Sequence, residues 1–96
     1  MAAMQRIIFH GRVQGVNFRS FVEDEANTLR LDGWVRNLPD GTVEAVFSGR
    51  DADVTAVVER CRVGPRHASV TRLETFPASE EDLKLRNAGE KFSRLG

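Results

Sequence analysis

The chain has 96 residues, and its charged fraction of 29% and hydrophobic fraction of 41% are those of an ordinary globular protein. This length suits one domain with a single core and is too short for two. Fourteen basic residues balance fourteen acidic ones, which argues against a nucleic-acid-binding protein with a basic face. No apolar run is long enough to span a membrane.

The chain is predicted to begin with a strand over residues 4–13, followed by a helix over residues 18–31. One parity of the strand is apolar and is expected to face the core, namely Ile7, Phe9 and Val13. The helix carries an apolar stripe at helical spacing, formed by Phe18, Val22, Ala26 and Leu29. Asn17 precedes this helix and is predicted to cap it through its side-chain oxygen.

A β-hairpin is predicted next, because alternating runs at residues 33–38 and 42–47 flank an Asp40-Gly41 pair. Val43, Ala45 and Phe47 share a parity and are expected to face the core. Trp34 is expected to be a partly buried packing residue.

A second helix is predicted over residues 51–62, and Gly64-Pro65 ends it. The last predicted strand covers residues 68–76, where imperfect alternation suggests a bulge. Cys61, the only cysteine, falls on the second helix and is expected to be a buried apolar residue; it cannot form an intramolecular disulfide.

This order of elements, βαββαβ, predicts an α+β fold of the ferredoxin-like type, in which both helices cover one face of an antiparallel sheet. We assign residues 1–78 to this domain and residues 79–96 to a polar C-terminal tail. Within the tail, residues 91–95 either add a short edge strand or fray. Residues 1–4 lead directly into a strand pattern, so we expect no signal peptide and a cytoplasmic location. We also expect a monomer, because the domain is small and has no evident coiled coil or excess apolar patch.

The segment GRVQGVNFR, residues 11–19, is the candidate site. Its glycines allow successive amides to converge, and the N-terminus of the following helix favours an anion. Arg19 lies in the first helical turn, where a cation opposes the helix dipole unless an anion is bound. The segment lacks the ending of a Walker loop and the third glycine of a dinucleotide-binding fingerprint. From the glycine spacing alone, a tight turn carrying a solvent-exposed arginine is the favoured interpretation, and the anion site stays open as the alternative.

The same segment resembles the signature of the acylphosphatase family, G-R-V-Q-G-V-x-F-R. Residues 26–37, ANTLRLDGWVRN, resemble the second signature of that family. Two further matches follow in the expected order, D-G-x-V-E from Asp40 and G-P-x-x-A-x-V from Gly64. The resemblance covers residues 6–76, and the fold of the family is the ferredoxin-like fold predicted above.

The resemblance implies hydrolysis of an acyl phosphate to a carboxylate and inorganic phosphate, without a metal or other cofactor. It implies that Arg19 and the loop amides bind the phosphate, and that Asn37 positions the attacking water. The loop amides in question are those of Gln14, Gly15, Val16, Asn17 and Phe18. The implied partner is a small-molecule acyl phosphate, with no nucleic acid and no membrane.

Three features depart from the family pattern. Asn17 replaces a residue that is often bulkier, which is expected to alter the rim of the pocket. Arg30 stands where Leu-Gly-Leu is usual, which suggests a different end to the first helix. The tail matches the usual final strand poorly.

His10 and His67 are expected to be surface residues and not catalytic bases.

Two other functions share this topology. An RNA-binding module of the RRM type needs exposed aromatic residues on its central strands, whereas Phe9 and Phe47 fall on buried parities. A small-ligand sensor or a module that handles carbamoyl phosphate within a maturation protein is the second alternative.

Overall fold

The structure is a computed structural model that describes all 96 residues. Its elements, in chain order, are β1 (Ala2–Arg12), α1 (Phe18–Thr28), β2 (Asp32–Asn37), β3 (Val43–Arg50), α2 (Asp51–Val63), β4 (Ser69–Pro77), α3 (Glu80–Leu83) and β5 (Phe92–Arg94). The first six follow the predicted order, and the ferredoxin-like fold is confirmed.

The five strands form one sheet in the order β4-β1-β3-β2-β5. The four longer strands pair antiparallel to their neighbours, and β5 lies parallel to β2. The sheet is therefore mixed, with the predicted antiparallel sheet extended at one edge. This extension brings the end of the chain beside β2, the strand that ends at Asn37.

The main core lies between the sheet and helices α1 and α2. Val43, Ala45 and Phe47 are fully buried there, as predicted. Phe92 of β5 joins this core and stacks on Phe47, with ring centroids 5.9 Å apart. Cys61 is also a buried core residue, and burial raises the pKa of its thiol to about 12.

The opposite face of the sheet carries a smaller core made of Trp34, Val46 and Leu83. Trp34 is only 1% exposed, and its indole N–H donates to the carbonyl oxygen of Asp82 at 2.6 Å. The expectation of partial burial is therefore wrong, because the polar tail supplies α3, which covers this side chain.

An ion-pair network occupies the rest of that face. Glu44 accepts from Arg6 at 2.9 Å and from Arg36 at 2.7 Å. The two guanidinium groups also lie over aromatic rings, Arg6 at 4.4 Å from the centre of Phe76 and Arg36 at 4.9 Å from that of Trp34. The central strands thus present paired charges on this face instead of free aromatic rings.

Helix α1 ends at Thr28, three residues before the predicted end. Arg30 adopts a left-handed conformation with φ 57°, and its N–H donates to Asn27 at 3.0 Å. The N–H of Leu31 donates to Ala26 at 2.9 Å, so the two bonds form a Schellman motif that ends the helix.

The pairing of β1 with β4 shifts register between His10 and Gly11, which leaves Thr71 as an extra residue on β4. This confirms the predicted bulge. Gly11 has φ +117°, and a Cβ there would lie 2.1 Å from the carbonyl oxygen of Ser69, so the close approach requires glycine. None of the helices is both long and apolar enough to traverse a bilayer.

Candidate active site

The loop between β1 and α1 is held at both of its ends by buried side chains. Val13 and Phe18 are each 1% exposed, and the ring of Phe18 packs edge-on against Phe9 with centroids 5.1 Å apart. The residues between these anchors remain at the surface or only partly buried. The core therefore fixes the loop while leaving its backbone accessible.

Two residues of this loop adopt left-handed backbone conformations. Gly15 has φ +75° and would have open space around a Cβ, so its backbone conformation and not its surroundings favours glycine. Asn17 has φ 62° at the N-cap position and makes no capping bond through its side chain. The predicted side-chain cap is therefore wrong, because a capping residue ordinarily has an extended backbone.

The amides of the loop have no acceptors within the protein. None of the N–H groups of residues 14–17 donates to a protein atom, and the first helical bond runs from Phe21 to the carbonyl oxygen of Asn17 at 3.1 Å. These donors lie where the partial positive charge of α1 is greatest. An anion bound there would accept hydrogen bonds from them.

A pocket of about 220 Å³ opens beside this loop. Its lining residues are Val13, Gly15, Asn17, Phe18, Arg19, Ser20, Asn37 and Arg94. Both predicted catalytic residues, Arg19 and Asn37, line it together with three of the residues whose amides were predicted to bind phosphate. Gln14 and Val16 do not line this pocket, and Val16 packs against the main core.

Arg19 lies in the first turn of α1 and is in contact with the end of the chain. Its Nη1 donates to the carbonyl oxygen of Leu95 at 2.6 Å. The N–H of Leu95 in turn donates to Val35 of β2 at 2.9 Å. The sheet thus fixes the carbonyl that orients Arg19, a contact that the sequence did not predict.

Asn37 is the last residue of β2 and is exposed. It pairs with Val43 in the β2–β3 ladder, while its side chain makes no hydrogen bond within the protein. It also lines a neighbouring pocket of about 380 Å³ together with Arg19, Arg36, Leu95 and Gly96. The carboxamide is therefore free to donate and accept beside Arg19.

The side chain of Gln14 joins the β1–α1 loop, residues 13–17, to the β2–β3 turn. Its Nε2 donates to the carbonyl oxygens of Leu38 and Thr42, both at 2.9 Å. Within that turn, Asp40 accepts from the hydroxyl of Thr42 at 2.6 Å and from its N–H at 3.0 Å, and these bonds lower the pKa of the Asp40 carboxyl. Gln14 therefore holds the loop against the turn that follows Asn37.

Sequence reasoning missed Arg94, the last residue of β5, which lines the same pocket. The only signal was an arginine within a possible edge strand. His10 lies outside the pocket and contacts Glu74 at 2.6 Å, and His67 is exposed. No group of three or more His, Cys, Asp or Glu side chains is placed to hold a metal ion.

The fold and the site define a class of protein, an α+β domain with a ferredoxin-like sheet in which a loop with unpartnered amides lies beside an arginine and an asparagine. The acylphosphatase family model matches residues 5–92. An acylphosphatase of Rhodopseudomonas palustris strain BisB18 is 49% identical over 92 residues, which cover 96% of this chain and 93% of that protein.

Solved structures of acylphosphatases are also similar to this chain. The acylphosphatase of Bacillus subtilis superposes with a TM-score of 0.83 at 35% identity, with all of both chains covered. That of Coxiella burnetii has a TM-score of 0.82 at 29% identity and covers 98% of this chain and 93% of its own. The chain belongs to the acylphosphatase family and is a hydrolase.

Proposed function

We propose that this chain hydrolyses the carboxyl–phosphate bond of an acyl phosphate, with Arg19 and the loop amides binding the phosphate and Asn37 positioning the water. The observation that carries the proposal is the pocket in which unpartnered amides, a guanidinium group and a free carboxamide meet. Family membership supports the same reaction.

Phosphate binding would use two kinds of donor. The amides of residues 14–18 are the first, and the N-terminus of α1 adds partial positive charge to them. The guanidinium group of Arg19 is the second, and its planar fork can bind two phosphate oxygens at once. Its contact with Leu95 uses one Nη1 proton and leaves the other donors available.

In the hydrolytic step the oxygen of a water molecule forms a bond to phosphorus while the bond from phosphorus to the acyl oxygen breaks. The bonding electrons leave with the carboxylate, and the proton of the water moves to a phosphate oxygen. A carboxylate is a good leaving group, so no acid is needed to protonate it. The contribution of the protein is positioning and charge stabilisation, which Asn37 and Arg19 would supply.

The test is hydrolysis of benzoyl phosphate by the purified protein, followed as loss of the mixed anhydride, in the presence and absence of excess EDTA. We expect turnover in both conditions. Arg19→Ala should lower kcat/KM by on the order of 10²- to 10³-fold or more, because it removes a charged donor to the transition state. Asn37→Ala should lower kcat about 10²-fold through loss of water positioning.

Two exposed residues of the same types serve as matched controls, Arg62 in α2 and Asn27 in α1. Arg62→Ala and Asn27→Ala should retain wild-type turnover. A folded wild-type protein that leaves benzoyl phosphate intact would contradict the proposed activity. Equal losses in the Arg19 and Arg62 variants would contradict the role assigned to Arg19.

A further inference from the structure

A second arginine, Arg94, lines the pocket that Arg19 and Asn37 share. Its nearest carboxylate is Glu23 of α1, with 3.8 Å between Nε and Oε1, which is too long for a hydrogen bond. Its side chain is 48% exposed and makes no hydrogen bond within the protein. Its guanidinium donors are therefore available to a ligand in this pocket.

The other two arginines near Asn37 already have partners. Arg19 donates to the carbonyl oxygen of Leu95, whereas Arg36 donates to Glu44 and lies over the ring of Trp34. Arg94 alone among the three is without a hydrogen-bonded partner. Two guanidinium groups lining one pocket repel each other unless anionic groups lie between or beside them.

The phosphate group accounts for only part of this pocket. Its volume is about 220 Å³, and its lining extends from the β1–α1 loop to Asn37 of β2 and Arg94 of β5. A phosphate group has five heavy atoms and already has the loop amides and Arg19 as donors. Space and one guanidinium group without a hydrogen-bonded partner, paired only with Glu23 at 3.8 Å, therefore remain for the part of the substrate attached to the phosphate.

We propose that Arg94 binds an anionic group on the acyl part of the substrate, so that the enzyme prefers acyl phosphates that carry a second negative charge. Monoacyl phosphates of dicarboxylic acids are the class with this chemistry. The inference rests on the proposed function, because it specifies the substrate of the same site. Arg94 is then the specificity-determining residue, and its bidentate fork suits a carboxylate.

The test compares kcat/KM for benzoyl phosphate with that for 3- and 4-carboxybenzoyl phosphate. The rigid ring keeps the added carboxylate from attacking its own anhydride. We expect Arg94→Gln to lower the ratio of carboxylated to uncarboxylated substrate by about tenfold or more, as loss of a charged hydrogen bond predicts. Arg94→Lys, which keeps the charge and loses the fork, should give an intermediate ratio.

Two further variants sharpen the test. Glu23→Gln removes the carboxylate that competes for Arg94, so we expect it to raise the ratio about two- to threefold. Arg62→Gln makes the same change in net charge as Arg94→Gln but on α2, outside the pocket, and should leave the ratio at its wild-type value.

Binding of stable phosphonates separates this inference from the proposed function. Calorimetry with benzylphosphonate and 4-carboxybenzylphosphonate gives the ratio of binding affinities for the carboxylated and uncarboxylated ligand without requiring turnover. We expect Arg94→Gln to lower this binding ratio as it lowers the ratio of kcat/KM values. If neither the turnover ratio nor the binding ratio changes in Arg94→Gln, the inference is overturned whether or not the protein hydrolyses benzoyl phosphate. Equal losses for all ligands, with weaker inhibition by inorganic phosphate, would make Arg94 a phosphate ligand and also overturn it.

Discussion

Arg30 has φ 57°, a conformation that costs an ordinary residue about 1–2 kcal/mol and that glycine adopts freely. It occupies the position after the C-cap where Schellman motifs usually have glycine. Its side chain is exposed and makes no hydrogen bond. The residue that departs from the family pattern is therefore also locally strained.

We expect Arg30→Gly to raise the free energy of unfolding by about 0.5–1 kcal/mol, because the gain at this backbone conformation exceeds the entropic cost of glycine. Urea denaturation would measure the change. Arg30→Ala removes the same charge and keeps the strained conformation, so it should give no such gain. A similar gain in both variants would assign the effect to charge.

The proposed catalytic residues illustrate what single residues allow one to predict. Arg19 and Asn37 were assigned through resemblance, and the structure places both at one pocket. The glycines could not have distinguished an anion site from a turn. Gly15 is favoured only by its positive φ, which a tight turn requires equally. Arg94 and the carbonyl of Leu95 could not be predicted, because their place depends on the pairing of β5 with β2.

The β1–α1 loop and the β2–β3 turn meet through one side chain. Gln14 contributes two hydrogen bonds to carbonyl oxygens of that turn, and Asn37 lies immediately before it. The loop and the turn therefore depend on each other for their positions, although they are more than 20 residues apart in the chain.

We expect Gln14→Leu to destabilise the protein by about 1–3 kcal/mol, because it removes two hydrogen bonds, each worth about 0.5–1.5 kcal/mol, while the carbonyls of Leu38 and Thr42 keep one backbone donor each. We also expect a lower kcat for benzoyl phosphate with a smaller change in KM, since Asn37 would be less well placed. Steady-state kinetics and urea denaturation would measure both. A change in stability alone would contradict the link to Asn37.

Strand β5 has only three residues, yet it contributes Phe92 to the main core. We expect Phe92→Ala to cost about 3–5 kcal/mol of unfolding free energy, the usual range for a buried phenylalanine. Phe92→Leu keeps most of the volume and should cost much less. Equal, small effects of both substitutions would show that β5 is not part of the cooperative fold.

Periodicity predicted the first six elements because each of them alternates or repeats around buried side chains. It could not predict α3, and it left β5 as one of two alternatives. In residues 79–96 the apolar side chains that become buried, Leu83 and Phe92, are nine positions apart and belong to different cores. Two such positions define no period, so only tertiary packing identifies them.

At the scale of the whole molecule, both faces of the sheet are occupied. The helices cover one face, and α3 together with the Arg6–Glu44–Arg36 network covers much of the other. An RRM-type module would instead present free aromatic rings on its central strands. With a net charge of zero, this surface gives no support to the nucleic-acid-binding alternative.

Acid should destabilise the fold as a whole. Hydrogen bonds from Thr42 lower the pKa of Asp40, and bonds from Arg62 and Ser93 lower those of Glu59 and Glu90. A carboxyl whose pKa is lower in the folded state than in the unfolded state stabilises the protein at a pH above its unfolded-state pKa. That contribution is lost as the pH falls through the folded-state pKa. We therefore expect the free energy of unfolding to fall as the pH drops below about 4.

Thr42→Val tests the largest of the causes at Asp40, because it removes the hydroxyl donor and keeps the backbone N–H. We expect the pKa of Asp40 to rise towards its ordinary value, as followed by NMR titration of the side-chain carboxyl. The pKa of Glu59 in α2 serves as an internal reference. An Asp40 pKa equal to that of the wild type would contradict the role of the hydroxyl.

The contact of Arg19 with Leu95 has a practical consequence for handling the protein. Gly96 lies next to the Arg19 guanidinium group, so any purification tag or fusion partner joined after it emerges at the neighbouring pocket that Arg19 and Asn37 also line. Met1 lies at the other end of β1, where its carbonyl accepts from the N–H of Asp51 at the start of α2. An affinity tag placed before Met1 leaves this region clear, whereas one placed after Gly96 crowds Arg19.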